Sequence, residues 1–402
     1  MKLILLISSA IVLIIYCDGN HTEYHALYEV LFSNGYNKYI RPVVGGNPHE
    51  RLHILTSFSL FDVSNLKEHS EELATYGWLS LQWYDELLSW NPDEFNNIKD
   101  ILIPQTHIWI PDIIVDNSIS SDHRLGSDKM FVRVHYDGMV VWSPSSFFLT
   151  YCAIAIQFYP FDTQTCPIIF STDVSESHEI QLIADSEAFR MNEYNENGEW
   201  DITKTSYKEL EVDHLSQIKF EIRLERRMAY HVMVIVVPTI LLSVLTVMVF
   251  CLPPESGEKM TLSISVMLSF VVLLTIFSDN MPNASLDISL LAVYVLILVV
   301  LSALSTIFSV FIVNWHYKPP DSPVPKYLRW IARISCCSSS NRVRCSDSNE
   351  KSADTKPDKD SSAEIISWSR IAVGLDRLLF IVYFSVSVAF PCAIGFLWLA
   401  YH

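Results

Sequence analysis

A chain of 402 residues that is half hydrophobic yet carries a formal net charge of −17 is ill suited to nucleic acid, and its class is decided by how its apolar residues are gathered into long windows. Its acidity is local: 32 acidic residues face 14 basic ones between Asn20 and Arg226, while the remainder is nearly balanced. Such a domain concentrates cations around itself, although for most of these acids solubility is the simpler role.

In chain order, the apolar run Leu3–Ile15 behind Lys2 is too short to span a bilayer and reads as a signal peptide covering residues 1–19. An exported domain over 20–226 follows. It opens on "NHT" at Asn20, a glycosylation sequon, and then on "TEYHALYEVLFSNG", where Leu27, Val30 and Leu31 keep helical spacing and Gly35 stops the helix. From Leu52 onward the pattern is that of strands. "FVRVHYDGMVVW" is a hairpin about Asp137-Gly138, and "IKFEIRLE" alternates as a half-buried strand. Short strands punctuated by Pro, Gly, Asn and Asp predict an antiparallel β-sandwich.

Four later segments are long and apolar enough to cross a membrane: roughly 230–252, 260–281, 288–313 and 378–401. Eleven Lys and Arg residues lie between Lys318 and Arg377, and none lies in the linker Asp279–Asp287. That asymmetry places residues 314–377 in the cytoplasm and both termini outside, and the signal peptide independently requires an exported N-terminus. The cytoplasmic stretch begins with a proline break and a short basic helix, passes through a polar, disordered middle, and reads as helix again from Ser362 into the fourth span. Cys336-Cys337 beside the basic helix is either palmitoylated or a pair of plain thiols. A second sequon, at Asn283, lies too near the membrane for easy modification. Cys17 leaves with or at the edge of the signal peptide, Cys251 and Cys392 are in spans, and Cys336, Cys337 and Cys345 are on the reducing side. Only Cys152 and Cys166 remain to form a disulfide in the exported domain.

The second span is unusually polar. Wound at helical pitch, Glu258, Thr261, Ser265, Leu268, Val272, Ile276 and Asp279 fall in one stripe, with acids at both ends, hydroxyls low and branched apolar residues above. Hydroxyls scattered in a span usually bond their own helix, and small polar residues also serve helix packing. Packing alone does not explain this order. Several such helices around an axis would build a pore whose mouths attract cations and whose Leu268/Val272 ring dewets as a gate.

These features resemble the Cys-loop pentameric ligand-gated ion channels of the nicotinic acetylcholine receptor branch. The likeness rests on the Cys152–Cys166 loop with Tyr159-Pro160-Phe161-Asp162, on "GWLSLQWYDELLSWNP", "WIPDIIVDN" and "GEW", on Pro238 in the first span, on "GEKMTLSISVMLS", on "VNWH", and on "WSRIAVGLDRLLF". It implies an extracellular β-sandwich with an N-terminal helix, four transmembrane helices and a pentamer around a central pore in the plasma membrane. Partners are then four further subunits of the same or a related type, a small cationic or other small-molecule agonist, permeant cations and lipid. No cofactor or metal is implied. The second-span match makes Glu258 the selectivity acid and Leu268 the gate, and "SGEK" keeps the cation-selective form.

At the ligand site the resemblance matches Trp83 to the complementary-face tryptophan and keeps Tyr207, with Val141 completing the set. Asp116 and Asp173 stand where acetylcholine-binding relatives have a tyrosine and a tryptophan of the cation–π box, and the vicinal cysteine pair is missing. Two readings stay open: a subunit lending only one face to a partner's site, or a channel with an acidic site for a different ligand. Asp85, Trp109 and Trp200 read as structural. Carried over from the family, Glu68, Asp162, Arg226 and Pro282 form the charged cluster that couples the two domains. An enzyme is disfavoured by the absence of Gly-x-Ser-x-Gly and His-Glu-x-x-His motifs, and a transporter by acids at the ends of the span rather than its middle.

Overall fold

The computed structural model describes residues 23–33, 35–42, 45, 49–121, 124–279, 289–319, 322–325, 328 and 368–401. The chain forms two compact units. One comprises residues up to Ala155 with Thr163–Arg227; the other comprises Ile156–Asp162 with the residues from Met228 onward. The signal peptide, Asn20, Pro282, Asn283 and the Cys336-Cys337 pair lie outside the described residues.

The first unit opens with helix α1 (residues 23–33), whose Leu27 and Leu31 are buried four residues apart, as helical spacing requires. Eleven strands follow among the described residues: β1 Leu52–Lys67, β2 Glu72–Tyr84, β3 Asp100–Pro104, β4 Ile113–Val115, β5 Phe131–His135, β6 Met139–Trp142, β7 Ser145–Tyr151, β8 Thr163–Glu176, β9 Ile180–Arg190, β10 Trp200–Val212 and β11 Leu215–Arg226. One sheet runs β3-β5-β6-β2-β1-β9 with β7 also on β2, and the second runs β10-β11-β8-β4. Inward side chains alternate along each strand, as Ile218, Phe220, Ile222 and Leu224 do on β11. The core centres on Phe58, whose ring lies 5.6–5.7 Å from those of Phe148, Phe170, Phe189 and Phe220. Cys152 and Cys166 are joined by the expected disulfide. At Gly77 any Cβ would meet the Ser59 carbonyl at 2.5 Å, so only glycine lets β1 approach β2 this closely.

Among the described residues the second unit holds four helices long and apolar enough to cross a membrane: α2 Ala229–Cys251, α3 Lys259–Asp279, α4 Leu290–His316 and α5 Trp368–Tyr401, of which Trp368–Ala393 is the membrane-length part. In α2 a π-helical turn at Val232–Val236 immediately precedes Pro238, where the proline ring would otherwise crowd the carbonyl four residues earlier. Helix α5 begins ten residues before the apolar segment at 378. Its first turns bury Trp368, Ile371 and Ala372 while Arg370 and Arg377 stay exposed, so a hydropathy window reads them poorly. The Trp368 indole N–H donates to the Ser322 carbonyl at 3.0 Å, and the Lys318 ammonium sits 4.0 Å over the same ring. The loop tip Ile156–Asp162 packs in this unit, with the Gln157 carbonyl accepting from Leu290 N–H at 3.1 Å.

Candidate functional sites: a helix stripe and an aromatic sheet face

The α3 helix has two faces. Lys259, Ser263, Val266, Phe270, Leu273 and Phe277 are buried against the bundle. Glu258, at the helix start, and Thr261, Ser265, Leu268, Val272, Ile276 and Asp279 are all exposed, Leu268 to 61% and Val272 to 52%. Every member of the expected stripe thus shares the one face that the chain's own helices leave uncovered. Ser265 Oγ donates to the Thr261 carbonyl at 2.8 Å, so its hydroxyl is satisfied within the helix and need not seek a neighbour. The buried face is held by a hydroxyl pair, Ser263 to Thr306 on α4 at 2.8 Å, and by Lys259, whose ammonium meets Asp376 on α5.

In the β unit the expected ligand residues separate. Trp83 is only 1% exposed; it points into the core with its ring 5.8 Å from that of Trp109. It therefore cannot present a face to a ligand, and the expectation for it fails. The reason is parity: Trp83 lies on the same side of β2 as the buried Leu79 and Leu81. Five residues earlier Trp78 takes the opposite side and is 38% exposed. Phe61 stands 4.6 Å from Trp78 and 5.8 Å from Tyr76, and Phe147, also exposed, lies 4.8 Å from Tyr76. Val141 pairs with Gln82 and so shares this outer face. The four rings escaped the sequence reading because Phe61 and Phe147 come from different strands. Trp78 itself was legible, since an odd offset from Trp83 must put the two indoles on opposite faces.

Asp173 lies on β8 of the second sheet, and Asp116 directly follows β4 of the same sheet. Asp173 N–H donates to the Asp112 carbonyl, and the Asp112 carboxylate accepts from Val174 and Ser175 N–H, which pins this turn. The Asp173 carboxylate is engaged by Arg124 at 3.3 Å, so it is not a bare acid; Asp116 is exposed. Tyr207 pairs with Phe220, which pairs with Ile168, and both are buried. Tyr207 thus has core-side parity on an edge strand. Asp173 follows the inward-facing Thr172 and has the opposite parity. The structure does not bring Tyr207 and Asp173 to one face. Beyond Tyr207, β10 and β11 pair up to a two-residue turn, Asp213-His214, with both residues at positive φ.

Of the coupling residues, Glu68 and Arg226 meet at 2.6 Å, while Asp162 is buried in the loop tip of the other unit. Trp200, under the Arg226 guanidinium, is buried and structural as expected. Asp85 is 1% exposed, accepting from the Tyr36 hydroxyl at 2.8 Å and Leu87 N–H at 3.1 Å. Among the described residues there is no cluster of three or more metal-ligating side chains.

Comparison with known families decides what such a β-unit and helix bundle belong to. The neurotransmitter-gated ion-channel ligand binding domain matches residues 24–228, and the neurotransmitter-gated ion-channel transmembrane region matches residues 235–351. The chain belongs to the neurotransmitter-gated ion-channel family. Among its relatives is neuronal acetylcholine receptor subunit beta-2 of Rattus norvegicus, 31% identical over 307 residues, 76% of this chain and 61% of the relative. Neuronal acetylcholine receptor subunit alpha-6 of Mus musculus is 31% identical over 323 residues, 78% and 64% of the two chains. Acetylcholine receptor subunit beta-type unc-29 of Caenorhabditis elegans is 31% identical over 330 residues, 82% and 66%. The chain spans about three fifths of the length of the first of these relatives. The ligand binding domain match covers the β unit, and the transmembrane region match covers α3, α4 and most of α2.

Proposed function

We propose that this chain is a subunit of a cation-selective, ligand-gated channel, assembled as one of five around an axis lined by the α3 stripe. The observation that carries the reading is the stripe itself. A membrane-length helix keeps acids, hydroxyls and branched apolar residues uncovered in that order while burying its opposite face. Glu258 and Asp279 draw cations to the two mouths, Thr261 and Ser265 replace hydration water, and the Leu268 and Val272 rings close the path by dewetting. Nothing in this arrangement calls for a cofactor.

The ligand is a small molecule other than classical acetylcholine. Asp173, in the place of a box tryptophan, is occupied by Arg124, and Tyr207 keeps the opposite parity. The Phe61, Tyr76, Trp78 and Phe147 rings suit a cation held by its attraction to aromatic faces. A second reading is favoured by the same contrast: a subunit that lends its Trp78 face to a site completed by a different partner subunit.

The test is Leu268→Ser expressed alone in oocytes under voltage clamp, with external sodium exchanged for a large impermeant cation. A polar residue in the gate ring wets the pore, so an inward leak that vanishes with sodium is expected without any agonist. Surface protein with no leak would overturn the self-assembling channel and favour the partner-dependent subunit.

A further inference from the structure

Among the described residues, an ion pair joins the α3 helix to α5 directly behind the Glu258 end of the stripe. Lys259, the first residue of α3, is 1% exposed, and its ammonium meets the Asp376 carboxylate, itself on the buried side of α5. The same ammonium donates to the carbonyl of Leu252, just beyond α2, at 3.3 Å and lies 5.8 Å from the ring of Phe250 at the end of α2. One side chain therefore ties the start of α3 to two other helices. Helix α5 packs on α2 and α4. Its Lys259 contact reaches the face of α3 opposite the exposed stripe.

Glu258 immediately precedes Lys259, and its carbonyl accepts the first helical bond of α3, from Leu262 N–H at 2.9 Å. Whatever fixes Lys259 fixes where the Glu258 side chain leaves the backbone. There is also a charge argument. A lysine ammonium one residue from the selectivity carboxylate opposes the field that attracts cations, and the low dielectric of the bundle does little to screen it. Asp376 cancels that charge at its source.

We infer that Asp376, on the helix outside the pore wall, is a positioning residue for Glu258: acting through Lys259, it sets the conductance and cation preference of the inner mouth. The inference rests on the channel reading above. It differs from a merely structural role, which would change how much protein reaches the surface but not what each open channel passes.

The experiment is a cycle of single-channel recordings in the constitutively leaking Leu268→Ser background: parent, Asp376→Asn, Lys259→Met and the Lys259→Met/Asp376→Asn double variant. Asp376→Asn should lower unitary sodium conductance by at least about twofold and move the reversal potential toward chloride under a salt gradient. In the Lys259→Met background the same change should have no further effect, because the charge it balances is gone. If Asp376→Asn is retained inside the cell, Asp376→Glu replaces it, and displacement of the carboxylate by one methylene should still reduce conductance. Unchanged conductance in the surface-expressed variant, or an equal fall with Lys259 already removed, would overturn the inference alone. A silent parent would overturn the channel reading, and this inference with it.

Discussion

The Arg226 guanidinium lies 2.6 Å from the Glu68 carboxylate and 4.2 Å over the Trp200 ring, with only 2% of its side chain exposed against 23% for Glu68. The end of β11 is thus stapled to the turn after β1 by a buried, stacked ion pair. It is the last point of the β unit before the chain enters α2. Whatever it contributes to signalling, it holds the edge of the domain.

Removal of the arginine should therefore be costly. Breaking a buried pair leaves the other group unbalanced and costs about 3–5 kcal/mol. Arg226→Ala is expected to lower the melting temperature of the solubilised protein and to reduce surface labelling sharply. Glu68→Gln, at the more solvated end, should cost less. Arg226→Lys should fall between, because an ammonium cannot both stack on the indole and present a fork to the carboxylate. A melt of Arg226→Ala that overlays wild type would remove the staple from the account.

The two faces of α3 can be separated chemically. With Cys251, Cys336, Cys337, Cys345 and Cys392 replaced by serine, single cysteines at Thr261, Ser265, Leu268 or Val272 should react with a water-soluble, charged thiol reagent applied to membranes. Cysteines at Val266, Phe270 or Leu273 should not, since those positions are buried. The readout is the fraction labelled by mass. Equal labelling of both sets would mean that the stripe does not line water.

The tryptophans of β2 make opposite predictions. Trp83→Ala empties a core position and should cost about 3–5 kcal/mol of stability. Trp78→Ala removes an exposed ring and should leave the melt within about 1 kcal/mol of wild type. The binding effect should be reversed. Quenching of the intrinsic fluorescence by tetramethylammonium, a minimal probe for an aromatic cation site, should weaken on loss of Trp78. Quenching that survives in Trp78→Ala would detach the outer aromatic face from ligand recognition.

That pair also marks how far the sequence could be read. Period-two alternation is a local signal, so the β-sandwich, the inward run of β11 and the hairpin at Asp137-Gly138 were all legible. The α3 stripe was legible for the same reason, at a period of 3.6. Trp83 was misassigned because motif matching weighed the residue type and not its parity with Leu79 and Leu81. The Arg124–Asp173 and Lys259–Asp376 pairs were beyond such reading. Their members are 49 and 117 residues apart, and only the tertiary fold brings them together. The helix leading into the fourth span was legible from Ser362 onward, but the membrane-length segment was set to begin at 378 because Arg370, Asp376 and Arg377 lower the hydropathy of its first turns.

A last prediction concerns acid. Burial pushes the Asp85 carboxyl above its usual range, and the hydrogen bonds from Tyr36 and Leu87 oppose that shift without cancelling it. The Tyr36 hydroxyl is pushed up by its own burial and then by the Asp85 charge, so it remains a donor at any physiological pH. A carboxyl whose folded pKa is raised binds its proton more tightly in the folded state than in the unfolded one. The wild-type domain therefore gains stability as pH falls through that folded value, and the gain is complete near the unfolded value of about 3.9. Asp85→Asn keeps the shape and has no such titration. Relative to wild type the variant should fare best above the folded value, where Asp85 bears a buried charge, and progressively worse as pH falls toward the unfolded value of about 3.9. Paired thermal melts of the two proteins across that window provide the check. A stability difference that does not change with pH would mean that Asp85 carries the same charge in the folded and unfolded chains.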